Sequence, residues 1–423
     1  MSTTTLLLLA LTILAFGLVS GRAQRSILTM PMAFVFFGYV IGEGGLHWVS
    51  FPMDEGPIHL LAEITLVVVL FTDAARIDLK LLRRQHDLPV RLLSFGMPLT
   101  LILGTVAGLL LLSELHFWEA ALIAAILTPT DAALGQAVVS NKKVPVRIRQ
   151  ALNVESGLND GIALPAVLVL LSIACAVQQS ASVAYWLKFA ALQVTLGPLV
   201  GIAVGFIGGK LLDRGSSTGW MSESFRNLAS LGLALMAFSA AEMVHGNGFI
   251  AAFCAGLTLG NSSKVACDVE EFSETEGQLL TLLVFLVFGG AMLPHALESA
   301  TPMIWVYALV SLTVVRMVPV AIALLGKKLH GDTVLFLGWF GPRGIASILF
   351  ALLVVERTAP GQHEALMPIV LVTVLLSTFL HGVTAYPLSE IYARRHGRRE
   401  AGTEEDQPVE EMPLRVPVGG TTD

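Results

Sequence analysis

The chain has 423 residues, 54% of them hydrophobic and only 14% charged, with a mean hydropathy of +0.74. A soluble domain carries about 25% charged residues and a disordered chain needs low hydrophobicity, so both classes are excluded. The net charge of −6 offers no basic surface for nucleic acid, and three cysteines (Cys175, Cys254, Cys267) have neither metal-site spacing nor the even count of a disulfide framework. An all-α polytopic membrane protein remains.

At roughly 20 apolar residues per spanning helix, the apolar runs predict thirteen spans. They lie near residues 3–20, 27–43, 57–75, 92–113, 117–139, 149–177, 185–209, 227–244, 247–261, 277–296, 302–325, 333–355 and 366–387. No basic residue precedes the first run, whereas Arg22 and Arg25 follow it. That is the reverse of a cleavable signal, so it reads as a retained helix with its N-terminus outside.

Alternate loops, starting after span 1, collect the basic residues: Arg22 and Arg25; Arg76, Lys80, Arg83, Arg84 and Arg91; Lys142, Lys143, Arg147 and Arg149; Lys210, Arg214 and Arg226; Lys264; Lys327 and Lys328. Arg394, Arg395, Arg398 and Arg399 follow the last span, while the intervening loops hold only Lys188 and Arg357. Basic loops mark the cytoplasmic side, which puts the C-terminus inside. Residues 1–387 are therefore read as a transmembrane domain and 388–423 as a short disordered cytoplasmic tail, charged through Glu404, Glu405, Asp406, Glu410 and Glu411. The GFIGGK run from Gly205 lacks P-loop spacing and its Ser/Thr, so no ATP-driven step is expected.

Charges inside spans are costly and mark function by default. Asp131, Glu155, Asp160, Arg316 and Arg343 stand well inside; Asp73 and Glu242 lie near span ends, and Glu63 is a further candidate in span 3. Span 5 reads ILTPTDAALG from Ile126. Pro129 removes a backbone donor and pushes Thr128 toward extended geometry, so the helix breaks there. Threonines repairing a proline kink would account for Thr128 and Thr130 but not for the carboxylate of Asp131. A broken helix exposes carbonyls and half-helix ends that serve an ion site.

Span 6 reads ALNVESGLNDGIALP from Ala151. Helical spacing puts Ser156, Asn159 and Asp160 on one face, an oxygen set suited to a hard monovalent cation. Gly157 and Gly161 read as helix-packing residues. Span 12, GWFGPRGIAS from Gly338, is a second Pro/Gly break, at Pro342, and carries Arg343. If spans 1–6 and 8–13 are repeats around span 7, the breaks in spans 5 and 12 correspond and the repeats are inverted, as for a midplane transport site. Arg316 in span 11 needs a buried carboxylate, and Glu155 is the partner chosen for it.

At TPTD, ESGLNDG and GPRG, the sequence resembles the monovalent cation–proton antiporters, and more narrowly the NhaP-type sodium–proton exchangers. GNGFIAAFCAGLTLGN, from Gly246, is also similar to that family's helix 9. The resemblance implies Asp160 as the cation- and proton-binding carboxylate, with Asn159 beside it. Ser156 and Thr130 would be ligand oxygens, Asp131 and Thr130 would belong to the unwound crossing, and Glu155–Arg316 would be a structural ion pair. It also implies a homodimer, and electroneutral exchange for an Asn–Asp sequence. One departure stands out: LFTDAARID has Thr72 where the family often has Glu, with Asp73 one place later as a candidate ligand.

The expected activity is exchange of one monovalent cation, sodium first with lithium or potassium as alternatives, for one proton by alternating access. Asp160 would hold either in turn. No cofactor and no enzymatic reaction are expected, and the setting is the cell membrane, in pH homeostasis. A cation channel is the first alternative, though no repeated pore loop appears. An intramembrane aspartyl enzyme using Asp131 and Asp160 is the second.

Overall fold

The computed structural model describes residues 3–23, 28–49, 56–84, 87–178, 183–263, 266–358, 365–398 and 403–409. Arg25, Lys264, Arg399, Glu410 and Glu411 lie outside them. All regular structure among the described residues is helical. Each predicted apolar run coincides with a helix or with two helical pieces.

In chain order these are α1 (Thr3–Ala23), α2 (Met30–Ile41), α3 (Gly56–Ala75) and α4 (Asp87–Leu111), then α5a (Phe117–Ile126) and α5b (Ala132–Val139). Next come α6 (Val146–Gln178), α7 (Val183–Ser217), α8 (Glu223–Met243) and α9 (Gly248–Ser262). α10 covers 266–298 with a π-helical turn at Phe288–Met292, and α11 (Pro302–Ala323) is interrupted at Thr313. α12a (Gly331–Trp339), α12b (Ile345–Arg357) and α13 (Leu366–His396) complete the set. Among the described residues, six helices are long and apolar enough to cross a membrane: α4, α6, α7, α10, α11 and α13.

Small residues set the spacing of one layer. A Cβ on Gly201 or Gly205 of α7 would strike the carbonyls of Ala251 and Ala255 on α9; on the other side of α9, a Cβ on Gly256 or Gly260 would strike those of Phe71 and Ala75 on α3. α9 is thus held between α3 and α7 at backbone contact, the small-residue packing that joins helices where lipid gives no hydrophobic drive. The glycines of the GFIGGK run have this role: Gly208 faces Leu233 of α8 and Gly209 faces Leu259 of α9.

The composition change near residue 388 does not end the last helix, which runs to His396 through Pro387. Residues 403–409 then fold back. Glu405 is 1% exposed and accepts bonds from the His330 N–H (2.9 Å) and the Thr333 hydroxyl (2.8 Å), at the start of α12a. Arg147, at the start of α6, pairs with Glu404 at 3.2 Å and donates to its carbonyl, and His396 meets Asp406 at 2.8 Å. The expectation of an unfolded tail from 388 is therefore corrected for residues 388–398 and 403–409. Composition averages hide one glutamate that finds helix-start donors to satisfy it.

Candidate functional site: the crossing of two broken helices

Pro129 and Pro342 stop their helices in the middle of the molecule, and the two breaks meet. α5a ends at Ile126, where Thr128 Oγ1 turns back to the carbonyl of Ala124 at 2.6 Å. Asp131, in extended conformation, starts α5b as its N-cap. Its Oδ1 accepts from the N–H groups of Ala133 (2.7 Å) and Leu134 (3.3 Å), and its Oδ2 accepts from the N–H of Ile345 (2.7 Å) on α12b. One carboxylate therefore caps the positive ends of two half-helices.

The opposite charge is met symmetrically. Arg343 is fully buried, and its Nη1 donates to the carbonyls of Thr128 (2.8 Å) and Pro129 (3.2 Å), at the negative end of α5a. The Asp131 N–H donates to the Pro342 carbonyl at 2.7 Å, and Ser347 Oγ donates to that of Ile126 at 2.8 Å. A Cβ on Gly344 would collide with the Asp131 carboxylate, so only glycine lets the two breaks close on each other.

α6 runs past this crossing. Thr130 Oγ1 and Ser156 Oγ are 2.9 Å apart, and Asn159 Nδ2 donates to Thr130 Oγ1 at 2.6 Å. Asn159 Oδ1 is buried with no hydrogen-bond partner among the described residues. Asp160 follows on the same face, 6% exposed. Thr130, Ser156 and Asn159 are thus drawn into one cluster across the α5 break, with Asp160 one turn beyond Ser156. A cavity of about 20 Å³, room for roughly one water, reaches Ser156 between α5b, α6 and the α12 break, lined also by Gln136 and Asn153.

Glu155, on the next row of α6, meets Arg316 of α11 through two bonds of 2.5 and 2.8 Å, both side chains nearly inaccessible. A Cβ on Gly341 would run into that guanidinium, so the α12 break is also shaped around Arg316. Asp73 is buried on α3 with Arg76 Nη1 4.0 Å from it, and its backbone carbonyl passes 3.8 Å from where a Cβ on Gly157 would stand. Glu242 instead caps α9, accepting from the Gly248 N–H at 2.9 Å, and Glu63 is exposed.

A sequence profile described as "Sodium/hydrogen exchanger, transmembrane" matches residues 7–390. The chain belongs to the sodium/hydrogen exchanger family. Proteins similar to it include the K(+)/H(+) antiporter NhaP of Alkalimonas amylolytica, 24% identical over 93% of this chain and 67% of its own length. The K(+)/H(+) antiporter NhaP2 of Shewanella sp. strain ANA-3 is 25% identical over 87% of this chain and 63% of its own. A probable Na(+)/H(+) antiporter of Schizosaccharomyces pombe is 28% identical over 76% and 47%. This exchanger-family chain thus spans about two thirds or less of the length of these curated relatives. Its fold is that of the sodium proton antiporter MjNhaP1 from Methanocaldococcus jannaschii, with a TM-score of 0.74, 20% identity, and coverage of 92% of this chain and 97% of that one.

Sequence reasoning passed over Ser377, His381 and Thr384 of α13, which bond to the α12 break. A lone histidine in an apolar span was the available signal.

Proposed function

We propose that this chain exchanges a monovalent cation for a proton across the cell membrane. Asp160 holds one or the other in turn, Thr130, Ser156 and Asn159 supply neutral oxygens, and the site is exposed to each side alternately. The observation that carries this reading is the oxygen cluster drawn together beside a buried aspartate at a charge-compensated helix crossing. Broken helices meeting inside a bundle are the usual frame of a midplane transport site. The names of the similar proteins, antiporters of potassium or sodium against protons, support the same class.

Asp131 is assigned here to the crossing rather than to the cation, because both its oxygens already accept backbone bonds. Asp73 is assigned to the approach alongside Gly157. A neutral Asn159 beside Asp160 supports one-for-one, electroneutral exchange. The same reading makes the chain a multi-pass membrane protein with N-terminus outside and C-terminus cytoplasmic, working as a homodimer and performing no enzymatic step.

The test is proton flux in proteoliposomes, scanned with sodium, potassium and lithium under a clamped membrane potential. Wild-type protein gives cation-dependent proton movement independent of the potential, and Asp160→Asn abolishes it. Flux retained by Asp160→Asn refutes the assignment, and a cation conductance without coupled proton movement gives the channel instead.

A further inference from the structure

Four half-helix ends meet at the crossing, and each presents unsatisfied backbone groups that a buried site must neutralise. Side chains of the breaks themselves serve three of them. Arg343 covers the carbonyl end of α5a, and Asp131 covers the amide ends of α5b and α12b. The fourth, the carbonyl end of α12a, receives the Gly341 backbone N–H at 2.8 Å from within its break, and its side-chain donor comes from outside: His381 Nε2 lies 2.9 Å from the same Trp339 carbonyl.

That contact fixes the role of one ring nitrogen. A carbonyl oxygen can only accept, so Nε2 carries the hydrogen. Nδ1 stands against Ser377, 3.1 Å from its hydroxyl and 2.9 Å from its backbone carbonyl, and Ser377 Oγ accepts the Arg343 N–H at 2.6 Å. One turn further along α13, Thr384 Oγ1 accepts the indole N–H of Trp339 at 2.9 Å. Ser377, His381 and Thr384 stand at i, i+4 and i+7, one face of a helix. Ser377 and His381 are at most 1% exposed.

We infer that this face of α13 is the fourth cap of the crossing, and that His381 is a positioning residue for exchange. Acting through Trp339 and the Arg343 backbone, it sets where Arg343 holds α5a and where Ile345 meets Asp131. The consequence is an anchor for the crossing on α13, which brings a side-chain donor to an end that its own break meets with a backbone N–H. The inference rests on the exchange reading for its effect on transport, but not for its effect on the crossing.

Two measurements on full-length protein test it. The first is the apparent KM and Vmax of cation-driven proton flux in proteoliposomes, titrated with sodium and with potassium. The second, in detergent without added cation, is hydrogen exchange of the peptide covering 338–347. Loss of one buried hydrogen bond corresponds to about a threefold to tenfold change. His381→Leu is expected to raise the apparent KM by that factor at matched amounts of monodisperse protein, and to speed amide exchange at 338–347. His381→Gln, whose amide nitrogen reaches the place of Nε2, restores both; His381→Asn, whose amide sits near Nδ1, restores neither. Ser377→Ala, a smaller change that keeps the ring, also speeds exchange at 338–347 and stands in if His381→Leu does not fold. Wild-type KM and exchange in His381→Leu, or equal behaviour of the Gln and Asn variants, overturns the inference. Should wild-type protein move no protons, the exchange reading falls and the amide measurement alone decides the cap.

Discussion

The pair Glu155–Arg316 gives a prediction whose size follows from its geometry. Two bonds of 2.5 and 2.8 Å join side chains that are only 4% and 3% exposed, so either charge left alone would be stranded without water. Removing one member of such a pair costs about 3–5 kcal/mol, whereas replacing both by apolar residues of similar volume is often neutral. At roughly 2.1 cal/mol/K of unfolding entropy per residue, a chain of this length converts that loss into a fall in Tm of about 3–6 °C. Glu155→Leu and Arg316→Met should each show it in a detergent thermal melt, and the double variant should recover most of it. Because the pair is read as structural and Asp160 as the exchanging group, the double variant should also keep cation-dependent proton flux in proteoliposomes. Single variants within about 0.5 kcal/mol of wild type, the scatter of additive sites, would refute the burial argument. A stable double variant without flux would refute the division of labour between Glu155 and Asp160.

Two further outcomes follow from caps. Asp131→Ala strips the acceptor from three backbone N–H groups at the crossing, at about 1 kcal/mol or more each. It should lower thermal stability by several kcal/mol, with Asp131→Asn intermediate because it keeps one accepting oxygen; an unchanged melt for Asp131→Ala would remove the capping role. In the tail, burial alone would raise the pKa of Glu405, but bonds from the His330 N–H and the Thr333 hydroxyl outweigh it and hold the carboxyl below its usual 4.5. A depressed carboxylate stabilises the docked state fully above its unfolded pKa and loses that stabilisation as pH falls through the lower, docked value. A spin label at position 407 in a cysteine-free background should be immobile at neutral pH and freed only below about pH 4.5. With Glu405→Ala it should be mobile throughout; a label indifferent to that substitution contradicts the docking.

The spans and breaks were legible because they depend on local composition. Twenty apolar residues in a row have few other fates, and a proline disrupts its own helix wherever that helix lies. The shared face of Ser156, Asn159 and Asp160 is equally local, a matter of helical period. What lay beyond the sequence were the partners across long chain separations. Asp131 stood out in the sequence as a costly charge at a helix break, without the groups it meets there. Only the crossing, which brings Ile345 to its second oxygen, shows it occupied as a double cap. His381 carried no signal beyond being polar in an apolar helix, and its meaning depends on Trp339, 42 residues earlier in the chain. Glu405 disappeared into a charged tail because composition is an average, while docking needs one side chain and two donors in the right place. The sequence by itself determined which segments are helical, where two of them break, and which charges are too costly to lie there without a purpose. The tertiary structure decided which half-helix end each charge neutralises, because backbone dipoles and buried donors act over a few ångströms and only the packed bundle brings them that close.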